Sequence, residues 1–260
     1  MNPTDPTLPA ASPKVVIDHL SAWFGATLAL QEISLNIYPF ERLAIIGPAG
    51  SGKSTLLRCL NRLNDLTPGF RSQGQVFLDG QELLASPVDV AQLRRKIALV
   101  NTDPTPLPGT VFDNIAIALK MAGVRAPAQI DERVETGLRN VFLWDEVKDH
   151  LHDPALHLTN EKRKRLSVAR ALALEPEILL LDEPCASLDH VSATRFEDSL
   201  EELKQRYTIV MATNDIKQAA RASDKTAFFL KGELVEWSST RKFFTQPDQP
   251  RSHAFITERF

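Results

Sequence analysis

Between Gly47 and Thr55 the chain reads GPAGSGKST. A glycine, four residues, then Gly52, Lys53 and Ser54 is the spacing of a phosphate cradle: the glycines let backbone N–H groups close round an anion, Lys53 adds a positive charge, and Ser54 offers a ligand to magnesium. The candidate nucleotide-binding residues are therefore Gly47, Pro48, Ala49, Gly50, Ser51, Gly52, Lys53, Ser54 and Thr55, and the expected guest is a nucleoside triphosphate with Mg²⁺. A second group is Asp182 and Glu183, which end the apolar run Ile178 to Leu181. Two acids often mark a strand end, but after a phosphate loop they gain a chemical reading. Asp182 would hold the magnesium with Ser54, and Glu183 would act as base toward a hydrolytic water.

Such groups need elements to hold them. Leu43 to Ile46 is a continuous apolar run, as in a parallel strand buried on both faces, and Leu56, Leu57, Leu60 and Leu63 recur at helical spacing after the loop. Strand, loop and helix thus follow in the order the motif needs, with the helix dipole directed at the phosphates. Upstream, Val15 to Ile17 and the alternating Ile33, Leu35 and Ile37 predict an antiparallel sheet. Trp23 and Phe24 precede the turn residue Gly25, and a flat ring there either stacks on a base or packs as core. Downstream, strands are expected at Gln75–Leu78 and Ile97–Val100. Helices are expected around Val111–Ala122, Ile130–Val141 and Asn160–Leu174. The alternation then continues with helix Ala193–Lys204, strand Ile209–Ala212, helix Asp215–Ala222 and a hairpin from Thr226 to Val235 about Lys231-Gly232. The fold class is α/β.

Composition narrows the function. The chain has 260 residues, 30 basic and 33 acidic side chains and a net charge of -3, so no excess of positive charge favours nucleic acid. No apolar run approaches the length of a bilayer span. Met1 to Pro13, with four prolines and no apolar core, is expected to be a disordered tail. Cys59 and Cys185 lie far apart and in no metal-ligand spacing, which suits a reducing, cytoplasmic compartment. His150, His152 and Asp153 are assigned to a solvated helix end. The run Lys162, Arg163, Lys164, Arg165 reads either as a docking point for a phosphate or an acidic partner or as a solvated helical turn, and nearby acids favour the turn.

The order of these features, with Ser187-Leu188-Asp189 after Asp182-Glu183-Pro184, resembles the ATP-binding subunit of an ABC transporter over nearly everything from Lys14 onward. Within that family the chain is most similar to the ATPase of the bacterial high-affinity phosphate importer, through PTPLPGTVFDNI (Pro104 to Ile115), EPCASLD (Glu183 to Asp189), AARASD (Ala219 to Asp224) and FITERF (Phe255 to Phe260). The resemblance implies a P-loop NTPase core of ABC ATPase type with an antiparallel β subdomain, formed by residues 14–101 and 176–260, and an inserted helical subdomain at 102–175. It implies ATP and Mg²⁺ as cofactors and a head-to-tail pair of ATP-binding subunits, the second being a paralogue or a copy of this chain. Other implied partners are transmembrane permease subunits and, indirectly, a solute-binding protein, with no nucleic acid. The implied place is the cytoplasmic face of the inner membrane, peripherally bound. Phe24 takes the adenine-stacking position, and Ser187, Leu188 and Asp189 form a loop crossing the dimer interface.

Three places depart from the family pattern. Leu-Ser-Gly-Gly-Gln is replaced by Leu158-Thr159-Asn160-Glu161-Lys162, where Asn160 and Glu161 add bulk, Glu161 adds a charge repelling phosphate, and Thr159 keeps a hydroxyl. Thr102 stands for an expected glutamine, and Asn214 for an expected histidine. The first set would serve a partner's nucleotide and the other two the chain's own. Two functions follow: a nucleotide-binding subunit of weak hydrolysis paired with an intact paralogue, favoured by these changes, or a fully active homodimeric phosphate-importing ATPase, favoured by Lys53, Ser54, Asp182 and Glu183. A soluble ATPase acting on ribosomes or DNA is disfavoured by the single nucleotide domain and the lack of basic excess.

Overall fold

The computed structural model describes residues 12–257 except 86, 104 and 187. The expected tail thus lies almost wholly outside the described residues, as do Pro104, Ser187 and the last three residues of FITERF.

Two sheets organise the chain. The first is antiparallel, made of β1 (Val15–Phe24), β2 (Thr27–Ile37), β4 (Phe70–Leu78) and β5 (Gln81–Glu82) in the order β2-β1-β4-β5. The second contains β3 (Arg42–Ile46), β6 (Ile97–Val100), β7 (Ile178–Asp182), β8 (Thr208–Thr213), β9 (Lys225–Leu230) and β10 (Glu233–Ser239), in the order β10-β9-β3-β8-β7-β6. Its strands are parallel apart from β10, which pairs antiparallel with β9. The expected mixed α/β architecture, with an antiparallel and a parallel sheet, is therefore present. The continuous apolar runs have a direct cause: β3 and β7 are buried at every residue. Leu43, Ile45, Ile178 and Leu180 face a core shared with the antiparallel sheet, while Ala44, Ile46, Leu179 and Leu181 face a second core on the helical side. At roughly 1.5–3 kcal/mol for each fully buried large aliphatic side chain, these strands are costly to shift in register.

Among the described residues ten α-helices accompany the strands, the last two following β10: α1 (Lys53–Leu60), α2 (Val90–Lys96), α3 (Val111–Met121), α4 (Pro127–Asn140), α5 (Trp144–Val147), α6 (Asn160–Leu172), α7 (His190–Leu203), α8 (Ile216–Ala222), α9 (Thr240–Thr245) and α10 (Pro250–Ile256). Between β6 and β7 lie α3 to α6. α3 opens with a reciprocal capping box between Thr110 and Asp113, and its Ile115 and Leu119 join α4's Ile130, Val134 and Leu138 and α6's Leu166 and Val168 in the helical-side core.

Boundaries differ from expectation where a local interaction outweighs apolar spacing. α7 begins at His190 rather than Ala193, because the Asp189 carboxylate caps the N–H groups of Val191 and Ser192, each at 3.0 Å. β4 begins at Phe70 rather than Gln75: Arg71, Ser72 and Gln73 are exposed and show no apolar alternation, yet pair with Trp23, Ala22 and Ser21 of β1. The basic run is the larger correction. Arg165 is 1% and Lys164 5% exposed, so the run is not a solvated turn. Helical geometry sends Lys164 and Arg165 inward, where Arg165 meets Glu161 and Glu146 and Lys164 meets the Ala186 carbonyl.

Candidate functional site

The phosphate loop leaves β3 at Ile46 and enters α1 at Lys53. Its path demands glycine twice. Gly47 has φ +150° and packs so closely on β9 that a Cβ would stand 2.1 Å from the Phe229 carbonyl oxygen, and Gly52, at φ +102°, would meet the Ala29 carbonyl oxygen of β2 at 2.8 Å. The β9–β10 turn completes the support. The Gly232 N–H donates to the Ser51 carbonyl at 3.1 Å, and the Gln31 N–H to the Gly232 carbonyl at 2.8 Å. Pro48, Ala49 and Gly50 form the outer turn, which the Ser51 N–H closes by donating to the Pro48 carbonyl at 3.2 Å. Thr55 follows, half-buried, on α1.

Inside the loop, Lys53 Nζ donates to the carbonyls of Gly47 at 2.8 Å and Pro48 at 3.1 Å and lies 3.9 Å from the Glu183 carboxylate. Burial lowers the Lys53 pKa, against the opposing pull of Glu183 and Asp182. Ser54 Oγ donates to Asp182 Oδ1 at 2.8 Å, across 128 positions of sequence. The two residues expected to share a magnesium ion thus stand in direct contact. Asp182 ends β7 and is 3% exposed, so its carboxylate is held by neighbours rather than by water.

Glu183 follows at φ +48°, a left-handed backbone that L residues adopt only when their surroundings impose it. Its N–H donates to the Ala212 carbonyl at 2.8 Å, and its Oε2 accepts from the Asn214 N–H at 3.1 Å. Burial raises the Glu183 pKa; the Asn214 N–H, Lys53 and the Thr213 hydroxyl oppose it, and Asp182 adds to it. A carboxyl held in this way is a better base than an exposed one. Thr213 is a contributor that sequence reasoning passed over, and its position at the end of β8 beside Asn214 was the available signal. Ser51, expected in the cradle from its place in the motif, has an Oγ that is buried without a hydrogen-bond partner among the described residues. A buried hydroxyl in a glycine cradle, beside an ammonium and a Ser–Asp pair, fits a triphosphate with a divalent cation.

The remaining expected residues are spread more widely. Asn214 is exposed, and its backbone rather than its amide reaches Glu183. Thr102 lies half-buried in the loop after β6. Phe24 ends β1 and packs against Phe70 with ring centroids 5.3 Å apart, while the Arg71 guanidinium sits 4.2 Å from the Trp23 ring. Leu188 is half-buried against the helical-side core, and Asp189 has its carboxylate engaged in capping α7, where hydrogen bonds from Ser192 lower its pKa. Both cysteines are free thiols; burial pushes each up to about 12.

Thr159 to Lys162 form the cap and first turn of α6 and, among the described residues, share no hydrogen bond or ion pair with the phosphate loop. Thr159 Oγ1 accepts from the Lys162 N–H at 3.4 Å. The charge expected of Glu161 is turned inward: its carboxylate pairs with Arg165 Nε without hydrogen-bond alignment. Arg165 also donates to Glu146 Oε1 of α5 at 2.8 Å and to the Phe142 carbonyl at 2.7 Å, and Lys162 Nζ reaches Glu146 Oε2 at 3.0 Å. Glu161 is thus neutralised within the chain rather than aimed outward to repel a phosphate.

Residues 30–186 match the family model described as ABC transporter. Among solved structures, cbiO1 from Clostridium perfringens, part of the ABC transporter complex cbiONQ, superposes with a TM-score of 0.78 at 26% identity, over 95% of this chain and 96% of that one. A bacterial Atm1-family ABC exporter with ATP bound superposes with a TM-score of 0.80 at 23% identity, over 99% of this chain; this chain spans 44% of the exporter's length, and the likeness is one of fold. Among the described residues no helix is long and apolar enough to cross a membrane.

Proposed function

Because the chain belongs to the ABC transporter family, we propose that it is a MgATP-binding subunit of an importer for inorganic phosphate, weak in hydrolysis by itself and paired with an intact paralogue. The observation that carries the binding half is the convergence of Lys53, Ser54, Asp182 and Glu183 on one loop. Mg²⁺, held through Ser54 and Asp182, would supply neutralising charge to the phosphates. Lys53 would exchange its two carbonyl acceptors for phosphate oxygens, the loop N–H groups and Ser51 would take the remaining ones, Phe24 would stack on the base, and Glu183 would accept the proton of an attacking water.

The hydrolysis half rests on what has changed. Thr102 is too short for the work of a glutamine amide, and Asn214 cannot carry a charge. Asn160 and Glu161 put side chains where glycines would let a helix N-terminus approach a partner's phosphate. Removing one transition-state donor costs roughly a hundredfold or more in rate, so changes on both sides of a two-subunit site combine into a large loss.

The insertion at 102–175 would carry the contacts to other subunits. A cleft of about 610 Å³ where it meets the core, lined by Arg94, Leu99, Asp103, Ala118, Arg170 and Leu174, supports docking of a permease at the membrane's cytoplasmic face. The phosphate specificity rests on the sequence strings alone, since an ATPase subunit does not touch the solute.

The test is direct. The purified chain should bind MgATP and hydrolyse it slowly, and co-purification from its native membrane should bring a second ATPase with intact motifs. Robust phosphate release by the isolated chain, abolished by Glu183→Gln, would favour the fully active homodimer instead.

A further inference from the structure

Lys164 is a buried residue of the basic run that the site described above does not use. It projects from α6, is 5% exposed, and donates through Nζ to the backbone carbonyl of Ala186. No carboxylate lies within ion-pair distance of it among the described residues. Burial lowers its pKa, with the charges of Asp103 and Glu183 among those opposing the shift. A buried ammonium spent on a single carbonyl is a poor way to stabilise a fold, since desolvation offsets most of what the hydrogen bond contributes.

Its target is informative. Ala186 belongs to the turn that follows Glu183. Within that turn the Ala186 N–H donates to the Glu183 carbonyl and the Leu188 N–H to the Cys185 carbonyl, both at 3.1 Å. The turn starts from Glu183 in its left-handed backbone conformation. Upstream, Glu183 is fixed by Ala212 and Asn214 of the β8 end. Downstream, the Lys164 ammonium is a tie from the turn to α6. Lys164 sits one helical turn after Asn160, on the helix whose first turn carries the altered Thr159 to Lys162 segment.

We infer that Lys164 is a positioning residue: it ties the turn after Glu183 to α6, so that the placement of Glu183 follows the placement of that helix. The inference rests on the reading of Glu183 as the base. A shift of the α6 N-terminus on meeting a second subunit would reach Glu183 through this one bond, in a chain whose own Thr102 and Asn214 are poor sensors of phosphate.

The experiment compares the full-length wild type with K164M, which keeps the stem and removes the ammonium, and K164R, which restores a cationic donor. Hydrogen exchange, without nucleotide, should quicken in the amides of Ala186 and Leu188 in K164M by about tenfold or more, the factor expected for loss of a charged hydrogen bond, and return to near wild type in K164R. With MgATP, single-turnover hydrolysis should fall by about tenfold in K164M at unchanged nucleotide affinity, again with recovery in K164R. The inference is overturned if turn exchange in K164M matches wild type, if α6 itself loosens as much as the turn, or if K164R recovers nothing. Should K164M fail to fold, K164Q, a neutral donor of shorter reach, takes its place with the same readouts. Failure of the wild type to bind MgATP would overturn the proposed function while leaving the exchange comparison decisive for Lys164.

Discussion

Replacing Arg165 by methionine tests whether the start of α6 is locked from within. The guanidinium is 1% exposed and holds three groups: Glu161, Glu146 and the Phe142 carbonyl. Methionine fills the stem's volume and removes the charge, which leaves the Glu161 side chain, at 14% exposure, without its partner and the Glu146 side chain, at 30%, with Lys162 alone. Breaking a buried pair by deleting one member costs about 3–5 kcal/mol. Glu146 keeps Lys162 at 3.0 Å and some access to water, so the lower end applies, about 3 kcal/mol. For a chain of this size that corresponds to a fall in Tm of about 6–12 °C. In thermal unfolding, R165M should show this fall, and E161Q combined with R165M should cost less than the two changes added, with a coupling of about 1–3 kcal/mol. The cluster has no bond to the phosphate loop, so MgATP affinity measured below the transition should be unchanged. An R165M protein as stable as wild type, or strictly additive costs, would show that Glu161 is not held by Arg165 and would return its charge to the surface.

Two further outcomes follow from particular contacts. Gly47→Ala would place a Cβ 2.1 Å from the Phe229 carbonyl oxygen and should abolish measurable MgATP binding, whereas Gly50→Ala meets nothing within 4 Å and costs about 1–2 kcal/mol for its left-handed backbone; titration with a fluorescent ATP analogue separates the two. Burial alone would raise the Asp224 carboxyl, but hydrogen bonds from the Arg42 side chain and N–H, with the charges of Arg42 and Lys204, hold it below the usual range. The stability it contributes is therefore complete above the unfolded pKa of about 3.9 and is lost as pH falls through the folded value, so D224N should flatten the drop in Tm on acidification below about pH 4.

What could be read from the sequence was what burial writes into one segment. β3 and β7 are buried on both faces and show as unbroken apolar runs, and the glycine spacing before Lys53 is forced by contacts with β9 and β2. What escaped depends on distant residues. Four basic residues in a row look solvated unless it is known that Glu146 stands opposite, 19 positions before Arg165, and that the Ala186 carbonyl awaits Lys164, 22 positions on. The first half of β4 escaped because its exposed polar side chains carry no alternation, although its backbone pairs with β1. The Ser54–Asp182 contact was expected as a shared metal role, but its directness comes from the adjacency of β3, β8 and β7 in the sheet, which spacing alone does not fix.

The inward turn of Glu161 changes what the segment Thr159 to Lys162 implies. If its charge faced a partner's nucleotide, Glu161→Gly would remove a repulsion and help the partner site. With the carboxylate pairing with Arg165, the same substitution leaves a buried guanidinium short of an anion, so reverting one residue toward glycine destabilises α6 before it can improve an interface. A working glycine pair at 160 and 161 would then need a compensating change at Arg165 or Glu146, because these side chains form one charge-balanced unit with Lys162. The start of α6 is thus held by a charge balance internal to the chain.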